Sequence, residues 1–187
     1  MEPVTLRTDR LELSAPRPED ADAIYTACQD ADIQRYTTVP SPYLASHAED
    51  FISRCANHWQ LGTETTWVMR ENSVLAGVVG LHDIGRGNAS LGYWVAPAAR
   101  GRGLIVEAAR AVIEWAFAPT GADLTRVEWR AVVGNVGSAR VARALGFHYE
   151  GTLRAEFTNA TGRFDGWVGG LLRSDDRMPQ PWPVLED

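Results

Sequence analysis

Tyr93-Trp94-Val95-Ala96-Pro97-Ala98-Ala99-Arg100-Gly101-Arg102-Gly103-Leu104 is the stretch on which the reading of this chain turns. An apolar run ends at Val95, a proline and small residues bend the chain, and arginine alternates with glycine. A helical period then begins, with Ile105, Ala108, Ala109, Val112, Ile113 and Ala116 on one face and Glu107, Arg110 and Glu114 on the other. A strand that passes through a glycine-rich turn into a helix forms an anion site. The glycines let the backbone approach a ligand, the N–H groups of the first turn have no intrahelical acceptor, and the helix dipole favours negative charge. A phosphate or pyrophosphate is the natural guest. Two familiar phosphate motifs are excluded: no Gly-Lys-Ser/Thr follows, and Val106 occupies the third glycine position of a dinucleotide fingerprint. A plain helix start with surface arginines is the other reading of the same residues.

Working outward, Thr66 to Arg70, Val74 to Leu81 and Ser90 to Val95 read as three strands of an antiparallel meander. Ahead of them, Leu6 to Leu13 reads as a first strand. Pro18 opens a helix whose stripe is Ala23, Ile24, Ala27, Cys28 and Ala31, and a loop with Pro40 and Pro42 runs from Tyr36 to Tyr43. A capping box of Ser46 and Glu49 predicts a second helix carrying Ala48, Phe51, Ile52, Cys55 and Trp59, which ends near Gly62. Downstream, Val127 to Val133 is a strand, and Asn135 caps a short helix that Gly146 closes with Phe147 behind it. Strands at about Thr152 to Thr158 and Phe164 to Leu172 follow. The order β-α-α-β-β-β-α-β-α-β-β is mixed α/β, with helices on both faces of one sheet. A single domain is expected over 1–187, with 174–187 an irregular tail.

Composition narrows the classes. The 187 residues suit one domain, and 45% hydrophobic with 22% charged residues are globular proportions. The longest apolar stretch, Val74 to Leu81, is far short of a membrane span, and no leader precedes the fold, so no membrane and a cytoplasmic location are expected. Cys28 and Cys55 make no disulfide framework or zinc pattern, and His47, His58, His82 and His148 show no ligand spacing, so no metal is expected. All 18 basic residues are arginine, and the net charge is −6, which argues against nucleic acid as partner. Residues 96–145 nevertheless carry 7 Arg against 4 acids, a basic district that one anionic cofactor would use.

Arg100-Gly-Arg-Gly103 after a strand, with Glu107-Ala-Ala-Arg110 in the helix, resembles the acetyl-CoA loop of GNAT-family N-acetyltransferases. Asn135-Val-Gly-Ser138, Ala142 and Leu145-Gly146-Phe147 resemble the downstream segment of the RimJ/RimL type, which acetylates N-terminal amines of ribosomal proteins. Arg10-Leu-Glu-Leu13 and Pro18-Glu-Asp20 are similar to the same subgroup, so the likeness runs over about residues 5 to 173. The resemblance implies a GNAT fold with a splayed sheet, acetyl-CoA as cofactor, and a fourth strand, Ser90 to Val95, that pairs with the pantetheine arm. The cofactor-binding residues it implies are Trp94, Val95, Ala96, Arg100, Gly101, Arg102, Gly103, Leu104, Asn135 and Ser138. Ile105 stands where the family has glycine or alanine; its side chain would either crowd the phosphates or, as its place in the apolar stripe favours, point into the core.

Acyl transfer from a thioester to an amine needs a neutral amine, stabilisation of the oxyanion and a proton for the departing thiolate. Where many members of the family carry a tyrosine seven residues after the asparagine, this chain has Ala142, and Ser138 is the remaining hydroxyl. The resemblance assigns Ser138 to the sulfur, with helix capping as its alternative role. It assigns Glu156 in the next strand to the amine proton, with Asp83 and Asp165 as competitors. Backbone N–H groups near Trp94 to Ala96 would serve the oxyanion. The acceptor pocket is expected to include Tyr36, Tyr43, Trp59, Trp67 and Phe157, although Trp59 also sits in a helical apolar stripe. The expected activity is N-acetylation of a primary amine, either a protein N-terminal α-amine or a small molecule. A homodimer is one open arrangement, and a non-catalytic acyl-CoA-binding module is the alternative function.

Overall fold

The computed structural model describes residues 1–159 and 162–185. Its strands are β1 (Leu6–Arg7), β2 (Glu12–Ser14), β3 (Thr65–Glu71), β4 (Val74–Gly85), β5 (Asn88–Val95), β6 (Arg126–Val132), β7 (His148–Asn159) and β8 (Gly162–Leu172). Its helices are α1 (Ala21–Ala27), α2 (Ala31–Tyr36), α3 (Ala45–Leu61), α4 (Leu104–Phe117) and α5 (Val136–Ala144). All eight strands form one sheet in the order β1-β2-β3-β4-β5-β6-β8-β7, and β5 beside β6 is its parallel pair.

The sheet has an apolar layer on each face. On one, α4 buries Leu104, Ile105, Ala108, Ala109, Val112, Ile113 and Ala116 against Trp67, Met69, Val79 and Leu81. On the other, Ile24, Ile33, Ala48 and Ile52 from α1, α2 and α3 cover Val68, Val78 and Trp94. The alternation Trp67/Val68/Met69 along β3 sends successive side chains to opposite layers, as a pleated strand with both faces covered requires.

Two expected elements divide. The first strand is two short ones, β1 and β2, because Thr8 folds the chain back: Leu11 N–H donates to Thr8 Oγ1 at 3.0 Å and Thr8 N–H to Leu11 O at 3.0 Å. The first helix breaks after α1, and Asp30 caps α2 by accepting the Ile33 N–H at 3.0 Å. Ser46 is inside α3 rather than its cap; Leu44 is the N-cap residue, and its N–H donates to His47 Nδ1 at 3.1 Å. Gly62 and Gly146, at φ +70° and +89°, end α3 and α5 as expected. The tail is irregular, but Trp182 is fully buried against Trp129 and Tyr149, with Nε1 donating to Phe147 O at 2.9 Å. Its last two residues lie outside the described residues.

Candidate active site

The parallel pairing of β5 with β6 covers Asn88–Leu91 against Arg126–Trp129 and stops there. Beyond Leu91 the strands part, and a cleft of about 1180 Å³ opens between them. β5 stays paired with β4 as far as Val95, and Ala96 N–H donates to Ala76 O at 2.9 Å. Backbone groups alternate in direction along a strand, so Ala96 and Trp94 face β4 while Tyr93 and Val95 turn their N–H groups into the fork. The expected donor stretch Trp94 to Ala96 is thereby corrected: Ala96 N–H is committed to the sheet.

The fork leads to the glycine-arginine loop. Gly101 and Gly103 take φ of +71° and +73°, and a Cβ on Gly101 would meet nothing within 4 Å, so the backbone there is bare. Backbone N–H groups of Gly101 to Val106 have no acceptor among the described residues; the first bond into α4 is Glu107 N–H to Gly103 O at 3.2 Å. The arginine side chains are engaged elsewhere. Arg100 binds Asp30 at 2.5 Å and gives its Nε to Val95 O at 3.2 Å, which holds Asp30 below the usual carboxylate range. Arg102 binds Glu71 at 2.7 Å and lies off the cleft. Arg10 anchors the loop from outside, donating to Glu107 Oε2 and to Arg102 O. Leu104 and Ile105 are buried, Ile105 within the core as its period implied.

Ser138 lies on the opposite wall, in the first turn of α5. Asn135 Oδ1 accepts its N–H at 3.1 Å, so Asn135 is the cap and the Ser138 hydroxyl is not. That hydroxyl accepts Trp129 Nε1–H at 3.0 Å and meets Tyr93 Oη at 2.8 Å. Tyr93 Oη also reaches Ser138 O at 3.2 Å. Burial pushes the Tyr93 phenol up to about 12, so it keeps its proton. Trp129 can only donate, and with the single Tyr93 hydrogen turned to Ser138 Oγ instead of Ser138 O, the serine's own proton is free for another acceptor. The sequence pattern does not mark Tyr93, because it lies on β5 ahead of the asparagine; the position seven residues after the asparagine, on α5, is the fully buried Ala142.

On the acceptor side the expected residues separate. Tyr36, Tyr43, Phe157 and Glu156 line the cleft. Trp59 and Trp67 do not, which corrects their assignment: both are 0% exposed, packed edge to face at 5.0 Å, with Nε1 groups donating to Thr66 O and Val4 O. Glu156 sits beside a bulge where Ala155 has φ +53°, and its Oε1 takes Arg130 Nη1, which shares Glu128 through Nε at 2.5 Å. Of the competitors, Asp83 lines the cleft, whereas Asp165 accepts the Ala155 N–H at 2.8 Å. Glu64, which no sequence pattern marks, faces the same space: it binds His82 Nδ1 at 2.9 Å and lies 3.7 Å from His58 Nδ1. His82 holds its carboxyl below the usual range. Cys55 also lines the cleft, but burial pushes its thiol up to about 11, so it stays protonated and is no nucleophile.

A sheet that forks beside a loop of unpaired backbone N–H groups fits an enzyme that transfers an acyl group from a phosphate-bearing thioester. The chain belongs to the GNAT acetyltransferase family, whose domain matches residues 10–148, and it is an acetyl-CoA-dependent N-acetyltransferase. It is 28% identical over 176 residues to the uncharacterized N-acetyltransferase p20 of Bacillus licheniformis, spanning 91% of this chain and 97% of that protein. Among the solved structures that share the fold are two with a coenzyme bound. RimL, a ribosomal L7/L12 α-N-protein acetyltransferase solved with coenzyme A, superposes with a TM-score of 0.83 at 19% identity, over 90% of this chain and 98% of that one. The microcin C7 self-immunity acetyltransferase MccE, solved with acetyl-CoA and AMP, gives 0.81 at 20% identity over 88% and 93%. The comparisons lend the non-catalytic binding module no support. Among the described residues no helix is long and apolar enough to cross a membrane.

Proposed function

We propose that this chain acetylates the α-amine at the N-terminus of a peptide or protein, and that the fork between β5 and β6 is where the transfer occurs. The observation that carries the site assignment is the run of backbone N–H groups from Gly101 to Val106 without acceptors, at the end of a cleft whose edge strand also has free donors. Such a cradle fits a pyrophosphate, and the open edge of β5 fits an extended amide-bearing arm. Acetyl-CoA, when bound, supplies a thioester carbonyl whose oxygen gains negative charge during transfer.

The chain's own groups then have distinct tasks. Gly101, Gly103 and Leu104 hold phosphate through the backbone, while Arg100 and Arg102 shape the loop by binding Asp30 and Glu71. Tyr93 or Val95 N–H faces the developing oxygen charge from a fixed position, where a preorganised donor contributes most. Ser138, fed by Tyr93 and Trp129, gives a proton to the leaving sulfur. Tyr36 and Phe157 flank the acceptor, and Glu156, tied to Arg130, is the acid that the resemblance proposes for the amine proton. The name of RimL supports a peptide N-terminus as acceptor; MccE favours a small amine as the second reading, since AMP accompanies acetyl-CoA in that structure. The test is thiol release from acetyl-CoA with a panel of N-terminal peptides and small amines. Peptides are expected to give the higher kcat/KM, and turnover confined to small amines would reverse the assignment.

A further inference from the structure

The glycine pair Gly80 and Gly92 faces itself across β4 and β5, on the sheet face that α3 covers. Both line the cleft, and the space over Gly92 is filled by His82. Its imidazole lies across β5, so that a Cβ on Gly92 would stand 2.7 Å from His82 Nε2 and 2.8 Å from its Cδ2. Gly92 is the first residue of β5 beyond the parallel pairing, and the next residue, Tyr93, supplies the N–H that enters the fork. His82 Nε2 is therefore held at the apex of the cleft, one residue from a donor assigned to the reacting carbonyl.

The other ring nitrogen fixes the tautomer. Glu64 Oε2 is 2.9 Å from His82 Nδ1, and a carboxylate held below its usual range can only accept, so Nδ1 carries the hydrogen. In the neutral ring Nε2 then bears a lone pair, and no described residue donates to it. This is the arrangement of a carboxylate-oriented imidazole base. Glu156, by contrast, has Oε1 engaged by Arg130.

We infer that His82, oriented by Glu64, takes the proton from the acceptor's ammonium group. The inference rests on the acetyltransferase reading of the site and gives His82 the proton that the resemblance assigns to Glu156. One proton leaves the acceptor nitrogen for His82 Nε2, which leaves a neutral amine with its lone pair and an imidazolium whose Nδ1–H still binds Glu64. The imidazolium returns the proton to solvent across its exposed edge, the side chain being 41% exposed. The other titratable and charged groups lining the cleft are Asp32, Tyr36, Tyr43, Arg54, Cys55, His58, Asp83, Tyr93, Arg100, Glu128, Arg130 and Glu156.

The experiment compares wild type, His82→Asn, Glu64→Gln and Glu156→Gln by thiol release across pH, with two acceptor amines of different basicity. Asparagine keeps a donor for Glu64 but has no base at the Nε2 position. His82→Asn is expected to lower kcat/KM by about 10²–10⁴-fold, to abolish the acid limb of its pH profile, and to leave the calorimetric affinity for acetyl-CoA unchanged. Added imidazole should restore part of the rate. Glu64→Gln should lower kcat/KM by less than His82→Asn does and leave acetyl-CoA affinity unchanged, since the amide fixes the imidazole tautomer less strictly than the carboxylate. Both variants are checked by circular dichroism; Glu64→Gln and imidazole rescue keep the inference open to refutation if His82→Asn is poorly folded. Wild-type turnover and an intact limb in folded His82→Asn, with the limb lost in Glu156→Gln, would overturn the inference and leave the acetyltransferase reading standing. A wild type that releases no thiol with any acceptor would overturn both.

Discussion

At Ser138 the division of labour between neighbouring residues decides what a substitution measures. Asn135 caps α5, so Ser138→Ala leaves the helix start intact; it does remove the acceptor of Trp129 Nε1, on a residue only 1% exposed. Leaving that donor unmet costs about 1–3 kcal/mol, so a lowered thermal midpoint would accompany either role and cannot separate them. The separating measurement is kcat against the acetyl-CoA Kd, both taken well below the midpoint. Ser138→Ala is expected to lower kcat by about 10²–10⁴-fold with Kd unchanged, and Tyr93→Phe by about tenfold, one hydrogen bond's share. Unaltered kcat in Ser138→Ala would return the serine to a structural role. Asn135→Ala is the control: it should cost about 1 kcal/mol of stability through the lost cap.

The loop and helix α4 meet at Gly103, and substitutions on the two sides should separate binding from folding. Gly101→Ala forces a non-glycine residue to φ +71°, where the added Cβ touches nothing, so its cost is about 1–2 kcal/mol of backbone strain. Because that strain is relieved by moving the N–H groups, calorimetry should show weaker acetyl-CoA binding. Ile105→Ala, two residues past the junction, empties a core position and should cost about 2–5 kcal/mol while leaving Kd unchanged. Tighter binding in Ile105→Ala would mean that its side chain crowds the phosphates instead. The contrast also explains what was legible. The stripe from Ile105 to Ala116 is long and periodic, so α4 could be read directly, as could α3 up to Gly62. The six residues of α2 are too few for a period and depend on the Asp30 cap, and β1 and β2 divide because of one threonine hydroxyl. At Trp59 the helical stripe already pointed to the core against the pocket assignment, whereas no local pattern marked Trp67 as core. His82 and Glu64 are 18 residues apart and meet only across β3 and β4, and Tyr93 meets Ser138 only because α5 packs beside the fork.

Across the whole molecule, carboxylates stitch distant segments, and their protonation should set the acid limit of the fold. Arg100 holds Asp30 below its ordinary value and so joins the α1–α2 turn to the loop; His82 does so for Glu64, and Arg126 for Glu150 between β6 and β7. Burial pushes Glu107 up, but hydrogen bonds from Thr8 and Arg10 outweigh it, and it too ends below the usual range, tying the β1–β2 turn to α4. The ordinary values are 3.8 for aspartate and 4.5 for glutamate. In each case the folded-state value is the lower, so between the two values the unfolded chain binds more protons and stability rises with pH. The contribution is therefore complete above about pH 5 and is lost as pH falls through 4.5 and below. Thermal midpoints measured from pH 7 to pH 3 should be level down to about pH 5 and then drop, with a shallower drop in 0.5 M salt because these pairs are partly exposed. Glu107→Gln should lower the midpoint at pH 7 and flatten the acid drop, since its share is already gone. A midpoint that stays level to pH 3, or a Glu107→Gln curve parallel to wild type throughout, would show that these carboxylates gain nothing from the fold.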